Sequence, residues 1–525
     1  MKPCWMSWIV LTALAAGPAF AQERGAFVMM LGRDTVAVER FERDGDRLSG
    51  VTLFQMMNVR TDWTLESQPD GSARRMRLEA RYANAPLDAK PLQEGTLEFR
   101  ADSVIGVLAG VRRAFPSRPG ALPYLNPSMA MFEQALVRAR AVGGGSPSVE
   151  LFLVAGGSVL TVPLTRTSPD TVTMSLGGGE VKLAVDAAGR LVGGAIPAQR
   201  IEFRRVAALP AGALVTPKPD YSAPPGAAYT AEDVRVRTSE GFELAGTLTK
   251  PKSPQGAKGP FPAVVTITGS GSEDRDEALA IVRGYRPFRE VAEALAARGI
   301  ATLRLDDRGF GESGGNAAAA TSWDFSYDVE AALKFLRARA DVDGRRLALV
   351  GHSEGGLIAP IVATRDPKLR GMVLLAGPAY TGRRILDYQT RLGYERMGYS
   401  GARLDSAAAA ASAATDSSAK SNAWLRFFLG HDPSNVARSL RGTPVLVLQG
   451  ATDRQVTPEQ AELLGKAFRD AGNRDVTVRV FPETNHLFLA DPDGWGDGYS
   501  SLPDPHVRRE VLDAIGDWLA SRLKK

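Results

Sequence analysis

The chain has 525 residues, 44% of them hydrophobic and 23% charged, with a formal net charge of +5 at pH 7. That length exceeds what one ordinary core organises, so two soluble globular domains are expected. The positive charge is spread thinly, and without a Lys/Arg cluster no nucleic-acid partner is expected.

Residues 1–21 read as a secretory signal peptide. Lys2 supplies the positive start, residues 8–16 a short apolar core, and Ala19-Phe20-Ala21 a small-x-small cleavage site before Gln22. The apolar run is too short for the bilayer core, and no later stretch is long and apolar enough to span one. The expected product is exported, periplasmic or secreted, with no membrane span after cleavage. Cys4, the only cysteine, lies inside this segment. Its loss would exclude a cysteine nucleophile and a thiolate metal site.

Residues 22–206 read as a β-rich N-terminal domain. Short runs at 26–30, 35–41, 48–54, 76–82, 149–154, 158–164, 171–176, 180–185 and 200–205 draw on Val, Leu, Phe, Met and Tyr. Turn signals such as Arg43-Asp44-Gly45-Asp46 separate them, which suggests an antiparallel sandwich or barrel. One helical segment interrupts at 127–142, with Met129, Phe132, Leu136 and Val137 near helical spacing.

Residues 207–228 form a linker, with Pro210, Pro217, Pro219, Pro224 and Pro225 among Ala, Gly and Ser. From 229 to 525 a hairpin is followed by strands at 261–268, 301–305, 347–350, 371–375, 445–449 and 476–481. Helical runs at 287–298, 326–339, 354–364 and 459–471 alternate with them. That alternation predicts a mostly parallel sheet with helices on both faces. Residues 381–440 break it as a helical cap insertion. Its Tyr388, Leu392, Tyr394, Met397, Trp424, Leu425, Phe427 and Phe428 either line a pocket or pack the cap's own core.

Gly351-His352-Ser353-Glu354-Gly355 lies between the apolar run 347–350 and the helical run opening Leu357-Ile358-Ala359. Strand, G-x-S-x-G, helix is the context of a nucleophile elbow, so Ser353 is the candidate nucleophile. A second match, Gly311-Glu312-Ser313-Gly314-Gly315, follows polar loop and precedes Asn316 and alanines, and reads as loop.

A serine needs a base, and the chain has four histidines. His352 is locked beside the nucleophile, His431 lies in the insertion, and His506 precedes the last helix. His486 follows the final strand, at the sheet's C-terminal end, and is the candidate base. Asp453, just past the strand 445–449, is the candidate carboxylate that orients it. The order Ser353, Asp453, His486 is that of α/β-hydrolases. The oxyanion donors expected are the Glu354 N–H and one from Thr268-Gly269-Ser270-Gly271-Ser272, with Ser270 favoured and Gly271 next. That loop lacks the Lys of a P-loop and the third Gly of a dinucleotide site. With no HExxH and few histidines, neither cofactor nor metal is expected.

On these motifs, with Glu273-Asp274-Arg275-Asp276 and Asp307-Arg308-Gly309-Phe310, residues 229–525 resemble the α/β-hydrolase superfamily, in its esterase and serine-aminopeptidase-like branch. The resemblance implies a mostly parallel sheet with a cap, a Ser-His-Asp acyl-enzyme mechanism, and a small-molecule ester substrate. It also implies that Asp307 and Arg308 are structural. Thr268 departs from the His that many relatives carry in a His-Gly pair. Two other readings stay open. One is a serine peptidase, with Glu273, Asp274 or Asp276 as a carboxylate clamp for an amine. The other is a non-catalytic envelope- or glycan-binding protein with a degenerate hydrolase domain.

Overall fold

The computed structural model describes residues 23–524 except 33, 84–90, 109–110, 143–146, 155–156, 177–178, 217 and 253–258. The segment read as a signal peptide lies outside the described residues. The chain divides into two compact units, Met1–Thr216 and Pro217–Lys525.

The N-terminal unit is built from β1 (Glu23–Leu31), β2 (Asp34–Asp44), β3 (Arg47–Phe54), β4 (Val59–Ser67), β5 (Ala73–Tyr82), β6 (Gln93–Phe99), β7 (Ser103–Leu108), β8 (Val111–Pro116), β9 (Leu122–Tyr124), α1 (Met129–Val142), β10 (Ser148–Leu153), β11 (Ser158–Ser168), β12 (Thr171–Leu176), β13 (Gly179–Val185), β14 (Leu191–Ile196) and β15 (Ile201–Val206). The strands alternate faces. In β5, Met76, Leu78 and Ala80 are buried while Arg75 and Arg77 are exposed. They form one continuous sheet of order β8-β7-β6-β5-β4-β3-β2-β1-β15-β14-β13-β12-β11-β10-β9, rather than the two facing sheets of a sandwich. Neighbours are antiparallel except β9 and β10, which α1 joins as a parallel crossover. Hairpin turns decide which strands are adjacent, but not whether the ribbon folds over or curls.

Here the sheet curls around α1. Every residue of the helix from Met129 to Leu136 is buried, as expected of a helix inside a core. Gln134 accepts from Arg43 of β2 at 2.8 Å, and its amide donates to Gly71 O at 2.9 Å. Glu133 accepts from the Leu191 N–H and from Arg205, so both halves of the sheet reach the same helix.

The C-terminal unit runs β16 (Tyr229–Arg237), β17 (Glu243–Pro251), β18 (Phe261–Ile267), α2 (Pro287–Ala296), β19 (Ala301–Leu305), α3 (Ser322–Arg337), β20 (Val342–His352), α4 (Glu354–Arg365) and β21 (Met372–Leu375). Four helices follow: α5 (Gly382–Arg396), α6 (Gly401–Ala419), α7 (Ala423–Gly430) and α8 (Pro433–Ala437). The unit ends with β22 (Val445–Gly450), α9 (Glu459–Asp470), β23 (Val476–Phe481) and α10 (Arg509–Arg522). The sheet order is β16-β17-β19-β18-β20-β21-β22-β23. The first two pairings, β16/β17 and β17/β19, are antiparallel, and all later ones are parallel. This is the α/β-hydrolase arrangement expected. Successive residues of β18 feed opposite cores. Val265 packs with α3, α4 and α9, and Val264 with α2 and α10, so the strands are buried on both faces. Because β19 and β20 lie on opposite sides of β18, the winding reverses there. In such sheets the crevice beyond the strand C-termini at that point takes the ligand.

The most heavily bonded carboxylate of the N-terminal core is Glu39 of β2. It accepts from the N–H groups of Met129 and Ala130 at 2.7 and 2.9 Å, from Thr52 Oγ1 at 3.1 Å, and from the Ser128 hydroxyl. The two N–H groups are donors that the start of α1 cannot satisfy within the helix. Burial nonetheless pushes Glu39 up to about 7 from 4.5, against the pull of its donors. A folded-state value above the unfolded one means stability is fully present below about 4.5 and is lost as pH rises to about 7. Glu39→Ala is expected to cost about 3 kcal/mol by thermal unfolding of the full protein. It should also flatten the pH dependence of the melting temperature across that window.

Candidate active site

Ser353 sits between the end of β20 and the start of α4 with φ 52° and ψ −113°. A non-glycine residue there is strained. Its N–H donates to Leu375 O at 2.8 Å, and its carbonyl accepts from Gly356 N at 2.9 Å. The flanking glycines are required by space. A Cβ on Gly351 would overlap the Gly355 carbonyl, and one on Gly355 would overlap the Ile267 carbonyl of β18. The turn therefore presses against its neighbour strand and projects the serine at the C-terminal end of the sheet.

Asp453 follows β22 and His486 follows β23, as their sequence positions led us to expect. His486 Nδ1 lies 2.7 Å from Asp453 Oδ2. Asp453 Oδ1 accepts from the N–H groups of Gln455 and Val456 at 2.8 and 3.0 Å, and Oδ2 also accepts from Gln449 Nε2 at 2.8 Å. A carboxylate ringed by donors is held as an acceptor, so Nδ1 carries the proton and Nε2 keeps its lone pair. The rings of His352 and His486 are 4.9 Å apart between centroids. The histidine pair thus places the 486 loop against the elbow.

The loop after β18 also meets the elbow. A Cβ built on Gly269 would lie 3.5 Å from Ser353 Cβ. The Gly269 N–H is already committed to Glu273 Oε2 at 3.1 Å and Glu277 Oε1 at 2.9 Å. The exposed Ser270 and Gly271 come next. On the other side, Glu354 is the first residue of α4, so its N–H has no acceptor within the helix. Thr268 donates its hydroxyl to Asp307 Oδ1 at 2.7 Å, and the Glu273 N–H donates to Asp307 Oδ2 at 2.9 Å. Burial pushes Asp307 well above the usual carboxylate range.

The acidic run divides. Asp276 is buried against Arg286 and Arg304, and Asp274 accepts from the N–H groups of Asp276 and Ala278 and from the Tyr221 hydroxyl. Glu273 alone lies half-buried, beside the loop after β18. Burial, with Glu277 and Asp307 nearby, pushes it well above its ordinary value. Ser313 donates to Asp306 O at 2.8 Å and accepts from the Ala245 N–H at 2.9 Å, so it pins a loop to β17. His431 stacks on Phe427, and the exposed His506 pairs with Glu290. Arg308 pairs with Asp328 at 2.7 Å. Among the described residues no cluster of three His, Cys, Asp or Glu is placed to hold a metal ion.

Two features escaped the sequence reading. Glu277 Oε1 lies 2.6 Å from His352 Nδ1, deep in the fold. The buried Glu354 carboxylate accepts from Ser322 Oγ at 2.5 Å and from Trp424 Nε1 of α7 at 2.8 Å, and burial raises its pKa. Trp424 stacks on Phe428, with centroids 5.1 Å apart, so this part of the cap faces the elbow. Tyr388 and Met397 are exposed instead. The charged residue inside the pentapeptide was the available signal for the second feature. Nothing in the spacing marked the first.

Residues 282–398 match the family model described as serine aminopeptidase, S33. Esterase EstD of Thermotoga maritima is 28% identical over 316 residues, which covers 57% of this chain and 69% of that protein. A protein named uncharacterized peptidase YuxL, of Bacillus subtilis, is 23% identical over 299 residues, 56% of this chain and 39% of that one. The solved structure of the Pyrococcus furiosus esterase Pf2001 is 18% identical and covers 59% of this chain and 97% of its own, with a TM-score of 0.41. Strand order and elbow are those of the α/β-hydrolase fold, and the family model and sequence relatives support a serine hydrolase similar to the esterase and serine-aminopeptidase-like branch of that superfamily.

Proposed function

We propose that the protein is an exported enzyme that cleaves carboxylic esters through an acyl-enzyme on Ser353. The observation that carries this is the Asp453–His486 hydrogen bond beside the strained Ser353 elbow. His486 Nε2 takes the Ser353 proton as the oxygen attacks the acyl carbon, and Asp453 stabilises the imidazolium that forms. The N–H groups of Glu354 and Ser270 receive the oxyanion, since the Gly269 N–H is spent on carboxylates. His486 then returns its proton to the leaving alcohol. In the second half it takes a proton from water, whose oxygen attacks the acyl carbon, and gives it back to Ser353. Ester rather than peptide cleavage is supported by the fate of the acidic run. Asp274 and Asp276 serve the fold and Glu273 accepts from the Gly269 N–H, which leaves little to clamp an amino terminus. The relative named esterase EstD points the same way.

Four outcomes test this reading. p-Nitrophenyl acyl esters should be hydrolysed and aminoacyl-p-nitroanilides left intact; turnover of the anilides alone would sink it. Labelling by a fluorophosphonate should occur and vanish in Ser353→Ala, whereas a degenerate binding protein would show none. Asp453→Asn should lower kcat by about 10³- to 10⁴-fold, because the amide selects the wrong imidazole tautomer. Export predicts that protein recovered outside the cytoplasm begins at Gln22. Intact Met1 in that fraction would contradict cleavage.

A further inference from the structure

Glu277 stands apart from the groups the proposed reaction uses, yet it touches two of the three segments that build the site and reaches the third through His352. It lies in the loop between β18 and α2, is almost wholly buried, and holds a left-handed backbone with φ 56°. Such a conformation on a glutamate persists only where the surroundings over-determine it. Its Oε1 accepts from the Gly269 N–H of the oxyanion loop at 2.9 Å and lies 2.6 Å from His352 Nδ1. The other ring nitrogen, Nε2, is 2.9 Å from the backbone oxygen of His486.

The protonation pattern follows from these partners. A carbonyl oxygen brings no proton, so His352 Nε2 must be the donor to His486 O. The short Nδ1 contact then needs a proton of its own, shared between the imidazole and the Glu277 carboxylate. Burial alone would lower the His352 pKa, but Glu277, the His486 carbonyl and Asp453 together outweigh it and the net shift is upward. The following carbonyl is held as well, since the buried Tyr285 hydroxyl donates to Leu487 O at 3.1 Å. The 486 loop is therefore fastened by its side chain to Asp453 and by its backbone to His352. It needs such fastening, because Glu483 and Phe488 both have positive φ.

We propose that Glu277, acting through His352, is a positioning residue for the reaction proposed above. It holds the backbone of the base loop and the oxyanion loop in register with the Ser353 elbow. The inference rests on that reading of the site. A group packed only for stability would change the melting temperature on substitution and leave turnover per folded molecule intact. A positioning group shows itself in kcat.

Two substitutions cut the link at different ends. Glu277→Gln offers one amide oxygen to the Gly269 N–H but cannot also share a proton with His352 Nδ1. His352→Asn keeps an amide near the Nδ1 position for Glu277 and loses the reach to His486 O. For each, kcat on a p-nitrophenyl ester is expected to fall about ten- to hundredfold, with KM within about twofold, as for misplaced reacting groups. Fluorophosphonate labelling should slow by a similar factor. Folded variants with kcat within about twofold of the unsubstituted enzyme overturn the inference. Should neither variant fold, the pairing is read by proton NMR. A far-downfield imidazole N–H resonance should remain when Asp453→Asn removes that of His486, and its absence overturns the pairing. An unsubstituted protein that neither turns over esters nor labels would instead defeat the reading of the site itself.

Discussion

The backbone of Ser353 carries the constraint on which the C-terminal unit depends. Its positive φ costs about 1–3 kcal/mol, and nothing within the pentapeptide offsets that cost. The compensation comes from outside. Leu375 of β21 accepts its N–H, and the Ile267 carbonyl of β18 leaves room for no more than glycine at 355. β21 and β22 are buried along their whole length, and two apolar cores press on the sheet from either side. The strain is thus tolerated because β20 is a central strand. At the sheet edge the same sequence would relax into an ordinary turn. The contrast with Ser313 makes the point, since that serine, in a similar pentapeptide, spends its hydroxyl on the loop's own hydrogen bonds.

Around the elbow the protein buries several carboxyl groups. Glu273, Asp307 and Glu354 are all shifted upward, chiefly by burial, and Glu277 faces the one nearby imidazole that can share its proton. Glu273 has Glu277 and Asp307 beside it, and like charges so close oppose its ionisation. Asp453 is treated differently. It is surrounded by backbone and amide donors, the environment that keeps a carboxylate ready to stabilise an imidazolium. The Thr268 hydroxyl gives Asp307 a neutral donor where a histidine would bring a titrating one.

The sequence carried the C-terminal fold well, for physical reasons that do not transfer to the rest. Parallel strands buried on both faces are continuous apolar runs, and helices between them show their period, so β18 to β23 stand out. Motif flanks separated Ser353 from Ser313 because an elbow needs a strand before it and a helix after it. In the N-terminal unit β4, β6, β7, β8, β9 and β14 were not recognised. β6 carries two glutamates, β8 two adjacent arginines and β14 a glycine pair. These become strands because a neighbour's hydrogen-bond ladder is waiting, a tertiary cause that local pattern does not record. The curl of the sheet about α1 was hidden for the same reason, although the helix itself was legible. Glu277 and His352 are 75 residues apart, and only the folded loop brings them to hydrogen-bond distance.

Glu354 joins chemistry to access in one residue. Its backbone N–H, free of the helix ladder, faces the proposed oxyanion, while its carboxylate is buried between Ser322 and the Trp424 indole of the cap. A buried carboxyl is tolerated only while its donors stay in place. Moving α7 away removes the Trp424 donor and brings water to the group, which changes the field one residue from Ser353. Cap position and the electrostatics of the elbow are thereby linked through a single side chain. The aromatic pair Trp424–Phe428 that makes this contact is also the part of the cap turned toward the site. A bulky acyl group that displaced the pair would disturb the Glu354 contact as it entered.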